Sequence, residues 1–560
     1  MAETDLGPED PAATIAAPEP HGPTARPAGR GQPGPRRAPQ TPKGRPRTDW
    51  LVVAVPAATS LVVGGYEIGG PSLWRDEAYT KDAIGRSVSQ IFALLGHQDA
   101  VHGGYYLLMH VIAAAAGTSA TALRFPSLCA MVIATAFTAA IGRRAAALAQ
   151  APDAAAGNGA HVPALTGLLS GLVFATAPYM TYYAQMARSY AIVTMFATIS
   201  SYLLLRAYPD GRWRCWLGYA AAVALTGLFN LFGLLILVAH GVTLLLTDPR
   251  GRIGTGRQIG RVPLRWLAAC AAALLVLSPL LRASFREQKQ IAWVSRPDAS
   301  TIERLVSNFA GSKELILPVA LLALAGVAAA CIADNWRPLN PAAIALPWLV
   351  VPPFLLIAGS YLKPVYVERY VEFCLPALAI LVGAGLVGLI RAMSGTRLRR
   401  LGLTWAPSAL VGLGLAVMLI GPQHAIRQTA ARPDDLRLAS AIVAAHEQPG
   451  DVVFYLPVDM HVLGTGYPAP FLRLRDIALA RSPIASATLT GTEITSPALL
   501  KSRFTDVRRV WVVTGSSNYK FPVPATPVDK EKLALLAGMH IIHRWMAGEV
   551  MLTLFSTDAG

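Results

Sequence analysis

Between residues 50 and 421 the chain consists largely of apolar runs, beginning near residues 51, 104, 122, 163, 187, 214, 229, 264, 313, 341, 371 and 403. A helix needs about 20 apolar residues to cross hydrocarbon, where no water is present to bond exposed backbone groups. Runs of this kind repeated along one chain leave little room for any fold but a bundle of membrane helices. Composition agrees: the chain is 53% hydrophobic and 15% charged, with mean hydropathy +0.43, where a soluble domain carries roughly a quarter charged residues. The net charge of +16 could suit nucleic acid. Here, however, Arg residues cluster in short stretches between apolar runs, as the positive-inside rule requires. The expected partner is therefore a lipid bilayer rather than nucleic acid.

Charge also orders the spans. The run at 104, "GYYLLMHVIAAAAG", is short for a span. If it lies at the interface and the N-terminus is inside, the basic clusters fall on one side. Among them are Arg143 and Arg144, Arg212 and Arg214, Arg250 to Arg265, Arg337, and Arg397 to Arg400. Counting it as a span would put them outside. The expectation is an all-α polytopic membrane protein of about eleven transmembrane helices. A first outer loop over 66–121 carries Asp76 and Glu77. Residues 1–49, rich in Pro, Gly, Ala and Arg, read as a disordered basic cytoplasmic tail before an uncleaved anchor.

Residues 422–560 have soluble character. "PDDLRLASAIVAAHEQ" and "KEKLALLAGM" have helical period, whereas "GDVVFYLP" and "RRVWVVTG" read as strands. The odd span count puts this small α/β domain outside the cell. The five cysteines, Cys129, Cys215, Cys270, Cys331 and Cys374, lie in or beside apolar runs without CxxC spacing and read as small core residues.

Candidate chemistry gathers in the outer segments. "PSLWRDEAYT" places Asp76 and Glu77 just past the first run. Asp76 reads either as a general base for a hydroxyl or as a solvated carboxylate beside Arg75 and Lys81. "AIGRSVSQIFALLGH" repeats Ile84, Val88, Ile91, Phe92 and Leu95 at helical spacing, suiting a helix flat on the outer surface. "YYAQMARSY" holds Tyr183, Gln185, Arg188 and Tyr190 at a span mouth. Arg188 can fork onto a phosphate or snorkel among tyrosines. "YLKPVYVERY" adds Lys363, Glu368 and Arg369 on the side where positive charge should be scarce. "VHGGYY" contributes His102 and Tyr105. His97, Asp99 and His102 lack a specific zinc spacing, and the sequence contains no Gly-rich phosphate loop, G-x-S-x-G or HExxH.

Taken in order, "LWRDEAYT", "VHGGYYLLMH", "LRFPSLCAM", "YYAQMARSYA" and "KPVYVERYVEFCLPAL" resemble the GT-C fold membrane glycosyltransferases. The likeness is to glycosyltransferase family 39, the protein O-mannosyltransferase/aminoarabinose-transferase branch, in its actinobacterial form, and covers roughly residues 50 to 420. It implies inverting transfer of a sugar, mannose or arabinose, from a polyprenyl-phosphate carrier at the outer face. The acceptor would be a hydroxyl of a cell-envelope glycan, glycolipid or protein. It assigns Asp76 the role of base and Glu77 a supporting one. Arg188 and Arg369, with Lys363, would hold the donor phosphate. His102, Tyr105, Tyr183, Gln185, Tyr190 and Glu368 are the candidate substrate contacts. No metal ligand set is assigned, and a divalent metal on the carboxylate pair is left open. Where many members have His-Pro-Pro, this chain has His102-Gly103-Gly104. A transporter without chemistry, or a membrane scaffold, are the alternatives. No charge is read deep inside a span, which disfavours transport.

Overall fold

The structure is a computed structural model that describes residues 50–150, 161–247, 262–287, 293–332, 339–393, 405–515, 524 and 526–558. The basic tail, Lys289, the Cys331 side chain and much of the arginine-rich connections lie outside these residues. Every apolar run forms a helix. They are α1 (Leu51–Gly65), α4 (Gly103–Ala116), α5 (Ala120–Ala149), α6 (Val162–Thr176), α8 (Tyr190–Asp210), α9 (Trp213–Phe229), α10 (Leu235–Thr247), α11 (Val262–Arg286), α13 (Ile316–Ile332), α14 (Pro341–Leu362), α15 (Leu375–Met393) and α16 (Ala406–Ala425). Between them lie α2 (Arg75–Ile84), α3 (Val88–Leu95), α7 (Pro178–Ala184) and α12 (Ala299–Ala310). Among the described residues six helices are long and apolar enough to cross a membrane on their own; α6 and α7 together make a seventh candidate, bent by 63°. The other runs of the expected eleven give shorter helices.

Side-chain caps mark several starts. Ser87 begins α3, Ser119 begins α5 and Asn340 begins α14. The Ser87 cap breaks the expected amphipathic helix in two. Ile84 and Ile91 are buried, while Val88 and Phe92 stay exposed. Helix α15 is mostly buried and α16 mostly unburied, so α15 runs through the interior of the bundle and α16 along its periphery. Small residues let helices meet. A Cβ on Gly385 of α15 would collide with the Leu322 carbonyl of α13, and one on Gly326 with the Leu381 carbonyl.

The last helix runs to Ala425, slightly past the expected boundary at 421. Beyond it, α17 (Leu436–His446) precedes strands β1 (Val452–Leu456), β2 (Arg475–Asp476), β3 (Leu479–Arg481), β4 (Thr492–Glu493), β5 (Arg509–Gly515), β6 (His540–Ala547) and β7 (Val550–Ser556), with α18 (Pro527–Leu536) after β5. The main sheet has order β2-β1-β5-β7-β6; β2, β1 and β5 are parallel and β7 and β6 antiparallel. Strand residues alternate between two faces. Val453, Tyr455, Trp511 and Leu552 pack with Leu436 and Val443 of α17, whereas Phe454, Val510 and Val512 pack with Leu500 and Leu536. Ala78 of α2 lies inside the first of these clusters. A helix from the first loop is therefore part of the C-terminal core.

The Gly385 contact is testable. Gly385→Val should separate α13 from α15 and cost about 1–3 kcal/mol or more, read as a lower melting temperature in detergent; an unchanged melting temperature would show that this close approach is not needed.

Candidate active site

Residues 66–119 lead from α1 to α5, and of two buried arginines near them the first, Arg124, fixes the course of Ile68 to Ser72. Arg124, one turn into α5, is fully buried. Its Nε donates to Glu77 Oε1 at 2.8 Å and its Nη2 to Glu77 Oε2 at 2.7 Å. Its remaining N–H groups reach the carbonyls of Ile68, Pro71 and Ser72 at 2.9–3.0 Å. All five guanidinium donors have acceptors, the number such a fork can use. Glu77, also fully buried, accepts from the Ala187 amide at 2.8 Å as well. Burial alone would push this carboxyl up. The Arg124 charge and hydrogen bonds, the nearby Arg432 and the Ala187 amide outweigh it and hold Glu77 below the usual carboxylate range.

Arg432 is the second. It lies over the Tyr182 ring at 3.8 Å and donates through Nη2 to the Tyr182 and Gln185 carbonyls. Its Nε and Nη1 are buried without a protein partner.

Asp76, one residue before Glu77, faces the other way. Its Oδ2 lies 3.8 Å from Nη2 of Arg369. The Arg369 guanidinium also sits near the rings of Trp293 and Tyr370, at 5.5 and 5.8 Å, and its buried Nε has no partner. Arg188, in the break between α7 and α8, is almost fully buried. Its Nη1 is 3.4 Å from the Asp76 backbone carbonyl, and its Nη2 is 2.9 Å from His102 Nε2. An arginine can only donate, so His102 accepts at Nε2 and carries its proton on Nδ1, which is buried without a partner. Burial and then the Arg188 charge lower the His102 pKa to about 4, so the ring is neutral at physiological pH. Beside it, Tyr106 donates to Asp99 at 2.6 Å, and Asp99 takes a left-handed backbone with φ 61°.

A cavity of about 540 Å3 adjoins this cluster. Trp74, Tyr179, Tyr182, Tyr183, Glu368 and Arg369 line it, with Asn308 of α12 and Ala431 and Pro433 of the segment leading to α17. Tyr183 donates to the Tyr179 hydroxyl at 3.1 Å and meets the Tyr190 ring edge-on at 5.5 Å. Glu368 is paired with Arg304 of α12 at 2.8 Å.

The structure thus gathers Asp76, His102, Arg188 and Arg369, with Tyr183 and Glu368 on the cavity wall. Other candidates sit elsewhere. Gln185 is fully buried and donates to the Gly64 and Tyr66 carbonyls at 2.9 and 2.8 Å, which ties the α7–α8 break to the end of α1. Tyr105 is buried in the bundle core. Lys363 is exposed at the end of α14 and is not among the cavity-lining residues. Glu77 has both oxygens engaged by Arg124, so of the Asp76–Glu77 pair only the Asp76 carboxylate lies outside that buried ion pair. Among the described residues no three His, Cys, Asp or Glu side chains converge as a metal site.

Arg124 lies in the motif "LRFPSLCAM", yet nothing local to it marks the role it takes in the fold. It is a charged residue within an apolar segment, as is Glu372, which is buried at the start of the last core helix and accepts from Thr194 at 3.1 Å. Both belong to segments long and apolar enough to cross a membrane, but neither lies deep inside one, where the sequence reading expects no charge. Each lies near the end of its segment and is buried against protein, where a partner offsets the cost of desolvation.

No protein-family model and no curated protein matches the chain. Among solved structures it is similar to ArnT from Cupriavidus metallidurans in the apo state, with 15% identity, TM-score 0.54, and coverage of 90% of this chain and 98% of that one. It is also similar to the same protein bound to undecaprenyl phosphate, with 15% identity, TM-score 0.51, and coverage of 92% and 99%. An archaeal oligosaccharyltransferase, AglB from Archaeoglobus fulgidus in complex with an inhibitory peptide and a dolichol-phosphate, matches at 10% identity and TM-score 0.48 over 83% of this chain and 69% of that one. The likeness to ArnT establishes the fold class, a GT-C membrane architecture carrying a small C-terminal sheet domain.

The buried pair has a measurable signature. Glu77→Gln leaves Arg124 uncompensated and should cost about 3–5 kcal/mol, read by thermal unfolding in detergent at pH 7. Because the folded carboxyl titrates below its unfolded value, its stabilisation is present above the ordinary Glu range and fades as pH falls through the folded pKa. The gap between wild type and variant should therefore narrow in acid; a gap independent of pH would contradict the ionised pair.

Proposed function

We propose that the chain is a glycosyltransferase that moves a sugar from a polyprenyl-phosphate carrier to a hydroxyl acceptor at the outer face of the membrane, with inversion. One observation carries this reading. Two buried or half-buried arginines converge on Asp76, Arg369 at its carboxylate and Arg188 at its backbone carbonyl, beside an aromatic-lined cavity. The cluster sets two guanidinium groups in a poorly hydrated place, with Asp76 near Arg369 and Asp99 near Arg188. A phosphate would complete it, since guanidinium forks bind phosphate in two-point fashion.

In the reaction, the acceptor oxygen forms a bond to the anomeric carbon on the face opposite the phosphate. Its proton passes to the Asp76 carboxylate. The bond from the anomeric carbon to the phosphate oxygen breaks, and polyprenyl phosphate leaves as an anion needing no proton. Donors already aimed at that charge lower the barrier without reorganising. In this reading Arg188 and Arg369 take that role, and the Nδ1–H of neutral His102 is a further uncharged donor nearby. Aromatic walls at Tyr179, Tyr182, Tyr183 and Trp74 suit the apolar face of a sugar ring. The undecaprenyl phosphate bound to the C. metallidurans ArnT of the same fold supports a lipid phosphate as the leaving group. The finer reading follows the sequence resemblance: a mannosyl or arabinosyl group, carried to a cell-envelope glycan, glycolipid or protein.

Asp76→Asn should lower transfer by about 10²–10⁴-fold, the range of a lost general base, while polyprenyl phosphate still binds. Arg369→Met should weaken binding of polyprenyl phosphate itself. Purified protein assayed against a panel of polyprenyl-phosphate sugars checks both. Full activity of Asp76→Asn would remove Asp76 as base, and no transfer from any donor by wild type would overturn the reading.

A further inference from the structure

Helix α2 carries Asp76 in its first turn, yet nothing in its own sequence caps it. The residue before it, Trp74, makes no side-chain capping bond. Orphan N–H groups at a helix start need an acceptor. Here the acceptor comes from 359 residues further along the chain. Asp434 Oδ2 accepts from the Arg75 backbone N–H at 3.0 Å and from Arg75 Nε at 2.8 Å, and Oδ1 accepts from Arg75 Nη2 at 2.7 Å. Asp434 is fully buried. The arrangement is reciprocal. Ser72, just before α2, accepts from the Arg437 backbone N–H in the first turn of α17 at 2.9 Å. Each helix start is thus capped by the segment that leads into the other.

What holds Asp434 in place is the C-terminal sheet. The turn joining β6 to β7 grips the segment around it. Asp435 N–H donates to the Ala547 carbonyl at 3.0 Å, and Glu549 N–H to the Pro433 carbonyl at 2.6 Å, with Asp434 and Gly548 bridged between them. Gly548 has φ +65°, and a Cβ there would press into the Pro433 carbonyl oxygen. The other end of α2 is held by the same domain. Ala78 lies in the core formed by β1, β5, β7 and α17, and Lys81 Nζ donates to the Gly466 carbonyl at 2.7 Å.

We propose that Asp434 is a positioning residue for Asp76, and that the C-terminal domain acts through it to set where α2 begins and hence where the carboxylate points. The chain of contacts runs from the β6–β7 turn to Asp434, from Asp434 to the start of α2, and from there to the next residue, Asp76. The part concerning catalysis rests on the reading of Asp76 as base; the ordering of α2 does not. A misplacement of about 1 Å at a reacting group can cost on the order of a hundredfold in rate, so a cap at the adjacent residue is well placed to control it.

The test uses the full chain in detergent or nanodiscs, with Asp434→Ala, Asp434→Asn and Gly548→Val, the last of which does not touch α2. Hydrogen–deuterium exchange is followed at α2 and, as an internal control, at α8. Transfer is followed as kcat and donor KM separately. In Asp434→Ala the first amides of α2 should exchange at least about tenfold faster, as loss of a cap predicts, with α8 unchanged. The value of kcat should fall at least about tenfold with donor KM within about twofold. Asp434→Asn keeps one acceptor oxygen and should lie between, and Gly548→Val should reproduce the exchange pattern from a distance. Unchanged α2 exchange in a folded Asp434→Ala protein would overturn the proposal. So would a loss of kcat matched by an equal rise in KM or by faster exchange throughout the bundle, since either would mean general disruption. If wild type transfers no sugar, the functional reading fails, while the exchange data still decide whether the C-terminal domain orders α2.

Discussion

Five N–H groups on one guanidinium organise the region around the site. Arg124 spends two on Glu77 and three on the carbonyls of the turn that leads from the first helix into α2. Burying a charge is costly unless it is paired and fully hydrogen-bonded, and here both conditions are met. The backbone from Ile68 to Ser72 has no ladder of its own. It takes its course because its carbonyls are the acceptors that a buried arginine requires. Glu77 carries the same constraint onward through the Ala187 amide, so one ion pair joins α2, α5 and the break before α8.

That pair also divides the labour of two adjacent carboxylates. Neighbouring residues on a helix point about 100° apart. Once Glu77 is turned inward to Arg124, Asp76 is left to face Arg369, which lines the cavity. Their proximity in sequence therefore conceals opposite surroundings. One carboxylate is dry, doubly bonded and structural. The other is partly exposed and beside unspent positive charge. Arg188 has one donor on His102 and another toward the Asp76 carbonyl, with the Asp76 and Asp99 charges nearby.

The C-terminal domain belongs to this arrangement rather than hanging from it. Its core includes Ala78 of α2, its linker supplies the cap at Arg75, and Ser72 returns a cap to α17. The floor of the cavity is shared as well, since Ala431 and Pro433 line it alongside Tyr182 and Arg369. Membrane helices and the segment leading into the sheet domain thus both line the candidate cavity.

The helices could be read from the chain because each apolar segment must satisfy its backbone internally, a local requirement that leaves a local trace. The strands of the C-terminal domain were legible for a similar reason, in the runs around Phe454 and Trp511. The motifs around Asp76, Arg188 and Arg369 were visible as charges at the ends of apolar runs. Their partners were not. Gln185 read as a substrate contact and proved to bond the carbonyls of Gly64 and Tyr66, while Arg124, Arg432 and Asp434 carried no role until the chain was folded. A side chain's function here depends on which distant acceptor or donor it meets, at separations of 47 residues for Arg124 and Glu77 and 359 for Arg75 and Asp434. Periodicity and composition decided that this chain is a membrane bundle with a sheet domain and where its polar segments lie. Only the tertiary structure decided which of those polar groups are locked in place and which are left facing the cavity, because that depends on contacts between segments that share no local pattern.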